Sequence, residues 1–179
     1  MKVGQTRATL RAMTNKLAVA SGLAVLLVGA GAASAGGSKG SIGIGGEAQL
    51  NGNLGGLSAN YDAGEFHVGG FLGFSDDGGE DDTDVAIGAR FYYHIHSSAM
   101  ADFGVGGSIG LGFIGDRMPG MDENATIMFL EPGLQARAFV ASNVALSFTG
   151  GLTLGLADAE GVAVTAQPVG SAGVHYYFF

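Results

Sequence analysis

From Thr83 to His96 the chain alternates without a break. Val85, Ile87, Ala89, Phe91, Tyr93 and Ile95 share one parity; Ala86, Gly88, Arg90, Tyr92 and His94 share the other. Successive side chains of an extended strand point to opposite faces, so this run has one apolar face and one small or polar face. The same period of two recurs along the rest of the chain, and no window beyond residue 40 sustains helical i, i+3, i+4, i+7 spacing. The chain has 34 glycines in 179 residues, and each interior Gly costs a helix about 1 kcal/mol relative to Ala. There is no G-X-Y period, so that content does not describe collagen. The sequence predicts an all-β chain.

Eight segments carry the alternation: 41–50, 54–61, 66–74, 83–96, 100–114, 125–140, 144–156 and 162–179. The first places Ile42, Ile44, Ala48 and Leu50 opposite Glu47 and Gln49, and the fifth sets Phe103, Val105, Ile109, Leu111 and Phe113 against Gly104, Gly106, Ser108, Gly110 and Gly112. In the sixth, Met128, Leu130, Leu134, Ala136 and Val140 oppose Glu131, Gln135 and Arg137. The most regular frame of the last segment turns Val174, Tyr176 and Phe178 to the apolar face.

Ahead of these segments lies a different kind of sequence. Residues 1–16 hold Lys2, Arg7, Arg11 and Lys16 and no acid; the apolar run LAVASGLAVLLV follows at 17–28, then Ala33-Ser34-Ala35. A basic region, a short apolar core and an A-x-A site form a secretory signal peptide, expected over 1–35. The run is too short for the ~20 residues of a membrane helix. Residues 36–179 then carry four basic side chains (Lys39, Arg90, Arg117 and Arg137) against sixteen acids, a net charge of −12. A chain this acidic is not expected to bind nucleic acid. Having no Cys, it has no disulfide framework, no thiol chemistry and no Cys-ligated metal.

An exported chain of eight antiparallel strands is either a soluble sandwich or a membrane barrel. Segments such as 83–96 and 125–140 far exceed the ~5–6 residues usual for soluble strands, and they suit the ~9–11 residues of a membrane-crossing strand. Connections alternate: 62–65, 97–99 and 141–143 are short, while 75–82, 115–124 and 157–161 are longer and mostly acidic. Short turns at one end and long loops at the other are the membrane-barrel pattern. Aromatic residues (Tyr61, Phe66, Tyr93, Phe103 and the 176–179 run) cluster beside the short turns, as an interfacial girdle would. An open edge cannot be satisfied in lipid, so the sheet must close. The expected fold is an antiparallel, eight-stranded, up-and-down transmembrane β-barrel over residues 36–179.

The ending, Val174-His175-Tyr176-Tyr177-Phe178-Phe179, together with this pattern, resembles the small eight-stranded outer-membrane barrels of the OmpA, OmpX and OmpW type. The resemblance implies that Val174, Tyr176, Tyr177, Phe178 and the terminal Phe179 form the signal read by the barrel assembly machinery. It also implies the outer membrane of a Gram-negative envelope as location, with lipid and lipopolysaccharide as surroundings. Gly173 and His175 depart from a fully apolar alternation.

Chemical motifs are few. Gly110-Leu-Gly112-Phe-Ile-Gly115 spells G-x-G-x-x-G, but it lies within a strand and opens no helix, so it is not a dinucleotide site. His94 and His96 share a parity and invite a metal, with Asp102 and His175 as partners, although no ligand set closes. His96-Ser97-Ser98 invites comparison with barrel lipid A deacylases, yet no orienting acid follows and the segment falls at a short turn. The acidic loop at 75–84 reads first as a solvated run of like charge and second as a weak divalent-cation site shared with lipopolysaccharide. No cofactor is expected.

The mid-strand charges on the small, polar face are Glu47, Arg90, Glu131 and Arg137. Two acids and two arginines can neutralise one another inside a lumen, which in an eight-stranded barrel is just filled by side chains. The expected function is therefore a non-enzymatic outer-membrane barrel with a structural or surface-contact role and a largely closed polar lumen. A narrow channel or small-ligand barrel is the alternative suggested by the glycines of the fifth segment, and a lipid A-modifying enzyme is the distant one.

Overall fold

The computed structural model describes residues 38–50, 54–76, 83–114, 125–157 and 164–178. They form eight strands: β1 (Ile42–Gln49), β2 (Gly55–Asp62), β3 (Phe66–Asp76), β4 (Thr83–Ser97), β5 (Ala101–Ile114), β6 (Ala125–Ala141), β7 (Val144–Ala157) and β8 (Val164–Phe178). Each pairs antiparallel with its sequence neighbours, and β1 pairs with β8, from Ile42 opposite Phe178 to Gln49 opposite Ser171. The sheet is a closed up-and-down barrel, as the alternation predicts, with boundaries within two residues of those expected where both are described. The expected leader at 1–35, the acidic loop residues 77–82 and Phe179 lie outside the described residues.

The two ends differ. Residues 63–65, 98–100 and 142–143 link strands at the end where Ile42 and Phe178 also lie, called here the short-turn end. Gly64 sits there at φ +92°, a conformation that favours glycine, and its N–H donates to Asp62 Oδ1 at 2.8 Å. The last described residues of β1, β3, β5 and β7 and the first of β2, β4, β6 and β8 lie at the opposite end, called here the long-loop end.

Side chains are distributed inside out relative to a soluble protein. Large apolar residues stand exposed on the outer face of every strand, among them Ile44, Leu57, Leu72, Ile87, Ile109, Leu134, Leu152 and Phe178. Buried positions are mostly polar or charged: Asp62, His67, Arg90, Asp102, Gln135, Arg137 and His175 face the lumen. Val174, Tyr176 and Phe178 take the outer face of β8, whereas His175 and Tyr177 are almost fully buried inside. Near the short-turn end, outward rings lie against one another, Phe66 with Phe91 at 5.4 Å and Tyr176 with Phe178 at 5.0 Å between centroids.

One expected pairing of faces is overturned. The β4–β5 register shifts between His94 and His96, so His94 lies opposite Gly104 while His96 lies opposite Phe103. The extra residue at this bulge breaks the period of two. His94 turns inward and His96 is exposed, so the two imidazoles do not share a face.

Candidate functional site

Two levels of side chains cross the lumen. At mid-height, Arg90 of β4 reaches over to Glu47 of β1, its Nη1 and Nη2 donating to Glu47 Oε1 and Oε2 at 2.7 Å each. A guanidinium and a carboxylate match in this two-bond geometry, which is stronger than a single neutral hydrogen bond. Arg90 also lies over the Phe71 ring, 5.0 Å from its centroid. His175 Nε2 stands 3.2 Å from Glu47 Oε1 and 2.6 Å from Ser58 Oγ, tying β2 and β8 to the same bar.

Nearer the short turns, Arg137 of β6 gathers a second cluster. Its Nη2 donates to Asp62 Oδ2 at 2.6 Å and to Asp102 Oδ2 at 2.7 Å, and its Nη1 donates to the Tyr177 hydroxyl at 3.0 Å. His94 Nε2 is 3.2 Å from Nη2. The Gly64 carbonyl can only accept, so His94 Nδ1, 2.8 Å away, carries a proton; in neutral imidazole Nε2 is then the acceptor. His67 Nδ1 lies 2.8 Å from that same Nε2. Thus β2, β3, β4, β5, β6 and β8 all contribute to one level. The Arg137 side chain is only 2% exposed and Asp62 only 1%, so charge compensation here takes place almost without solvent.

Of the four inward charges singled out in the sequence, the structure joins Glu47 with Arg90 and assigns Arg137 to other partners. Glu131 is half-buried, stands beside Ser108 across the β5–β6 ladder, and forms no ion pair among the described residues. The partners of these charges that sequence reasoning missed are Asp62, His67 and Tyr177, and Asp102, weighed there only as a metal ligand beside His94, pairs with Arg137 instead. Asp102 shares the inward parity of Gly104 and Gly106, so its facing was legible. Asp62 reads as a turn former, and it is one, through Oδ1; its second oxygen is the one that faces the lumen.

Asp62, His94 and Asp102 could by spacing hold a metal, with their ligand atoms within 4.8 Å of one another. The Arg137 guanidinium occupies the space between them, its Nη2 bonded to both carboxylates and 3.2 Å from His94 Nε2. The cation of this cluster is therefore the protein's own. Ser98 Oγ is also committed: it accepts from the Ala101 N–H at 3.0 Å and donates to the Ala101 carbonyl at 3.1 Å, closing the turn. With His96 exposed on the far side of the bulge, the His96-Ser97-Ser98 reading finds no geometric support.

Glycine serves close approach inside the barrel. A Cβ at Gly106 would overlap the Phe91 carbonyl, and one at Gly110 would meet the Phe129 ring at 2.5 Å. These inward glycines make room for a ring and for neighbouring backbone.

The arrangement of strands can be set beside known structures. The N-terminal β-barrel domain of Pseudomonas aeruginosa OprF aligns with a TM-score of 0.60, at 13% identity over 78% of this chain and 98% of that one. The fold is that of the OprF barrel. A major outer membrane protein of Thermus thermophilus (TM-score 0.48, 13% identity, 77% of this chain and 98% of that one) is also similar. So is Ail, the attachment invasion locus protein of Yersinia pestis (0.45, 15%, 79% and 100%). No family model and no curated protein matches the chain.

Proposed function

We propose that the protein is an outer-membrane barrel whose role is structural or one of surface contact, with a lumen closed by side chains and no catalytic activity. The observation that carries this reading is the double crossing of the lumen by Arg90–Glu47 and by Arg137 with Asp62 and Asp102. Charge-paired side chains that cross the bore at two heights narrow any path for solutes, which supports the closed reading. The exposed apolar belt supports the membrane location, because soluble monomers rarely expose contiguous apolar patches beyond a few hundred Å2, and here every strand contributes. Export through the leader at 1–35, assembly through the 174–179 ending, lipopolysaccharide contact and weak divalent-cation binding at 75–84 belong to the same reading.

The second reading, a narrow channel or small-ligand barrel, is favoured by one observation: a cavity of about 340 Å3 remains in the long-loop half. Swelling of proteoliposomes in isotonic arabinose separates the two. The closed barrel leaves swelling at the rate of protein-free liposomes; swelling that rises with the amount of protein would establish the channel. Fractionation of expressing cells tests location and export together: the protein should sediment with outer membranes and begin at Gly36.

A further inference from the structure

The lumen is filled in its short-turn half and open in the other. The cavity of about 340 Å3 has the Glu47–Arg90 bar and Tyr92 as its floor, and Gln49, Leu54 and Thr153 stand near its rim. Small-molecule sites run from roughly 300 to 1,000 Å3, so the volume suits a ligand about the size of a single substituted ring.

The polar groups in this cavity are unevenly matched. Both terminal nitrogens of Arg90 are taken by Glu47 at 2.7 Å, and its flat face is covered by Phe71. Arg90, Ser108 and Glu131 are successive cross-strand partners on β4, β5 and β6. Glu131 therefore stands on the same inner row as the guanidinium, without an ion pair of its own among the described residues. Phe129, two residues before it on the same inward face, presents its ring 6.2 Å from that of Phe71. The half-buried Glu131 carboxylate has a hydrogen bond from Ser108 and lies in the field of Arg90, but no cation is bonded to it among the described residues, and desolvation penalises its charged form more than the neutral one.

We propose that this cavity binds a small organic ammonium ion carrying an apolar group about the size of a phenyl ring. Glu131 is its counter-ion and Phe129 its aromatic face, supported by the attraction of a cation to a ring quadrupole. Glu47 takes one N–H from each terminal nitrogen of Arg90 and the unpartnered Nε–H is buried away from the cavity surface, so the guanidinium offers an anion little. A hard divalent cation requires several oxygen ligands, and of the other carboxylates that line the cavity Glu47 is engaged by Arg90 and His175 while Asp84 has a partner of its own. The assignment stands whether or not the short-turn half conducts, so it fails or survives independently of the closed-lumen reading.

Titration calorimetry of the purified barrel tests it, in octyl glucoside, whose headgroup carries no ammonium. The probes are 2-phenylethylammonium, phenylacetate and 2-phenylethanol. The ammonium should bind at least about tenfold more tightly than the other two, the scale of one charge-assisted bond. Glu131→Gln should remove that preference while leaving 2-phenylethanol unchanged, and Phe129→Leu should weaken the ammonium about 3- to 10-fold. Glu65→Gln, an exposed turn change, should do nothing. Equal binding of ammonium and carboxylate, no heat from any probe, or unchanged affinity in both lumen variants overturns the proposal. So does magnesium binding that depends on Glu131 in the absence of ammonium binding. A heat-modifiable gel shift reports folding of each variant. If Glu131→Gln does not fold, Phe129→Leu and the loss of ammonium affinity of the unmodified barrel in high salt decide the matter.

Discussion

At the residue scale, a guanidinium shared by two buried carboxylates and a phenol is hard to remove without loss. Deleting one partner of a buried ion pair leaves uncompensated charge, at about 3–5 kcal/mol. Arg137→Ala leaves Asp62, Asp102 and the Tyr177 hydroxyl together without their donor. Unfolding in urea should show a loss in that range, with Glu65→Ala, in an exposed turn, within about 0.5 kcal/mol. A loss no larger than the control would mean that the cluster does not form. The same substitution has a second consequence. With Arg137 gone, the carboxylates and His94, which lie within 4.8 Å of one another, become an available ligand set. Zinc should raise the thermal midpoint of Arg137→Ala, because a ligand that binds only the folded state stabilises it; the unmodified barrel should show no shift. Zinc stabilising both proteins equally would show that Arg137 does not occupy the site.

At the element scale, strand alternation and local glycine placement carry the argument. A Cβ at Gly106 runs into the Phe91 carbonyl, which a side-chain rotation cannot relieve, whereas one at Gly150 meets nothing within 4 Å. Gly106→Ala should therefore lower stability by about 1–3 kcal/mol, the range for overpacking, and Gly150→Ala should stay within about 0.5 kcal/mol. Urea titration of the pair measures the contrast, and equal effects would contradict the β4–β5 register. The eight elements and their inner and outer faces were legible because a period of two survives almost every local irregularity, as in β6, where Glu131, Gln135 and Arg137 alternate faithfully with Leu130, Leu134 and Ala136. It failed at His94 and His96, because a bulge inverts parity and nothing in the residues there marks it. The partners of Arg137 were not legible for another reason. Parity says which side chains point inward, but strand stagger and barrel closure decide which of them meet across the lumen. Tyr177 shows both limits at once: in sequence it is one of four closing aromatics, while in the barrel it is buried and bonded to Arg137.

At the scale of the whole molecule, an apolar exterior, a polar interior and a closed ladder suit a lipid surrounding, since every strand pairs on both sides and every strand exposes large apolar side chains. The assembly role proposed for the 174–179 ending is tested at this scale. Deletion of Phe179 should leave the protein degraded or soluble in the periplasm, with its heat-modifiable shift reduced; normal insertion of the truncated chain would contradict the assembly role given to residues 174–179.

The central claim is that side chains close the lumen, and single-channel recording in planar bilayers tests it most directly. The purified barrel should insert without stepwise conductance, while Arg137→Ala, with the level nearest the short turns dismantled, should show small or flickering openings. Stable conductance steps from the unmodified protein, unchanged in Arg137→Ala, would contradict the claim.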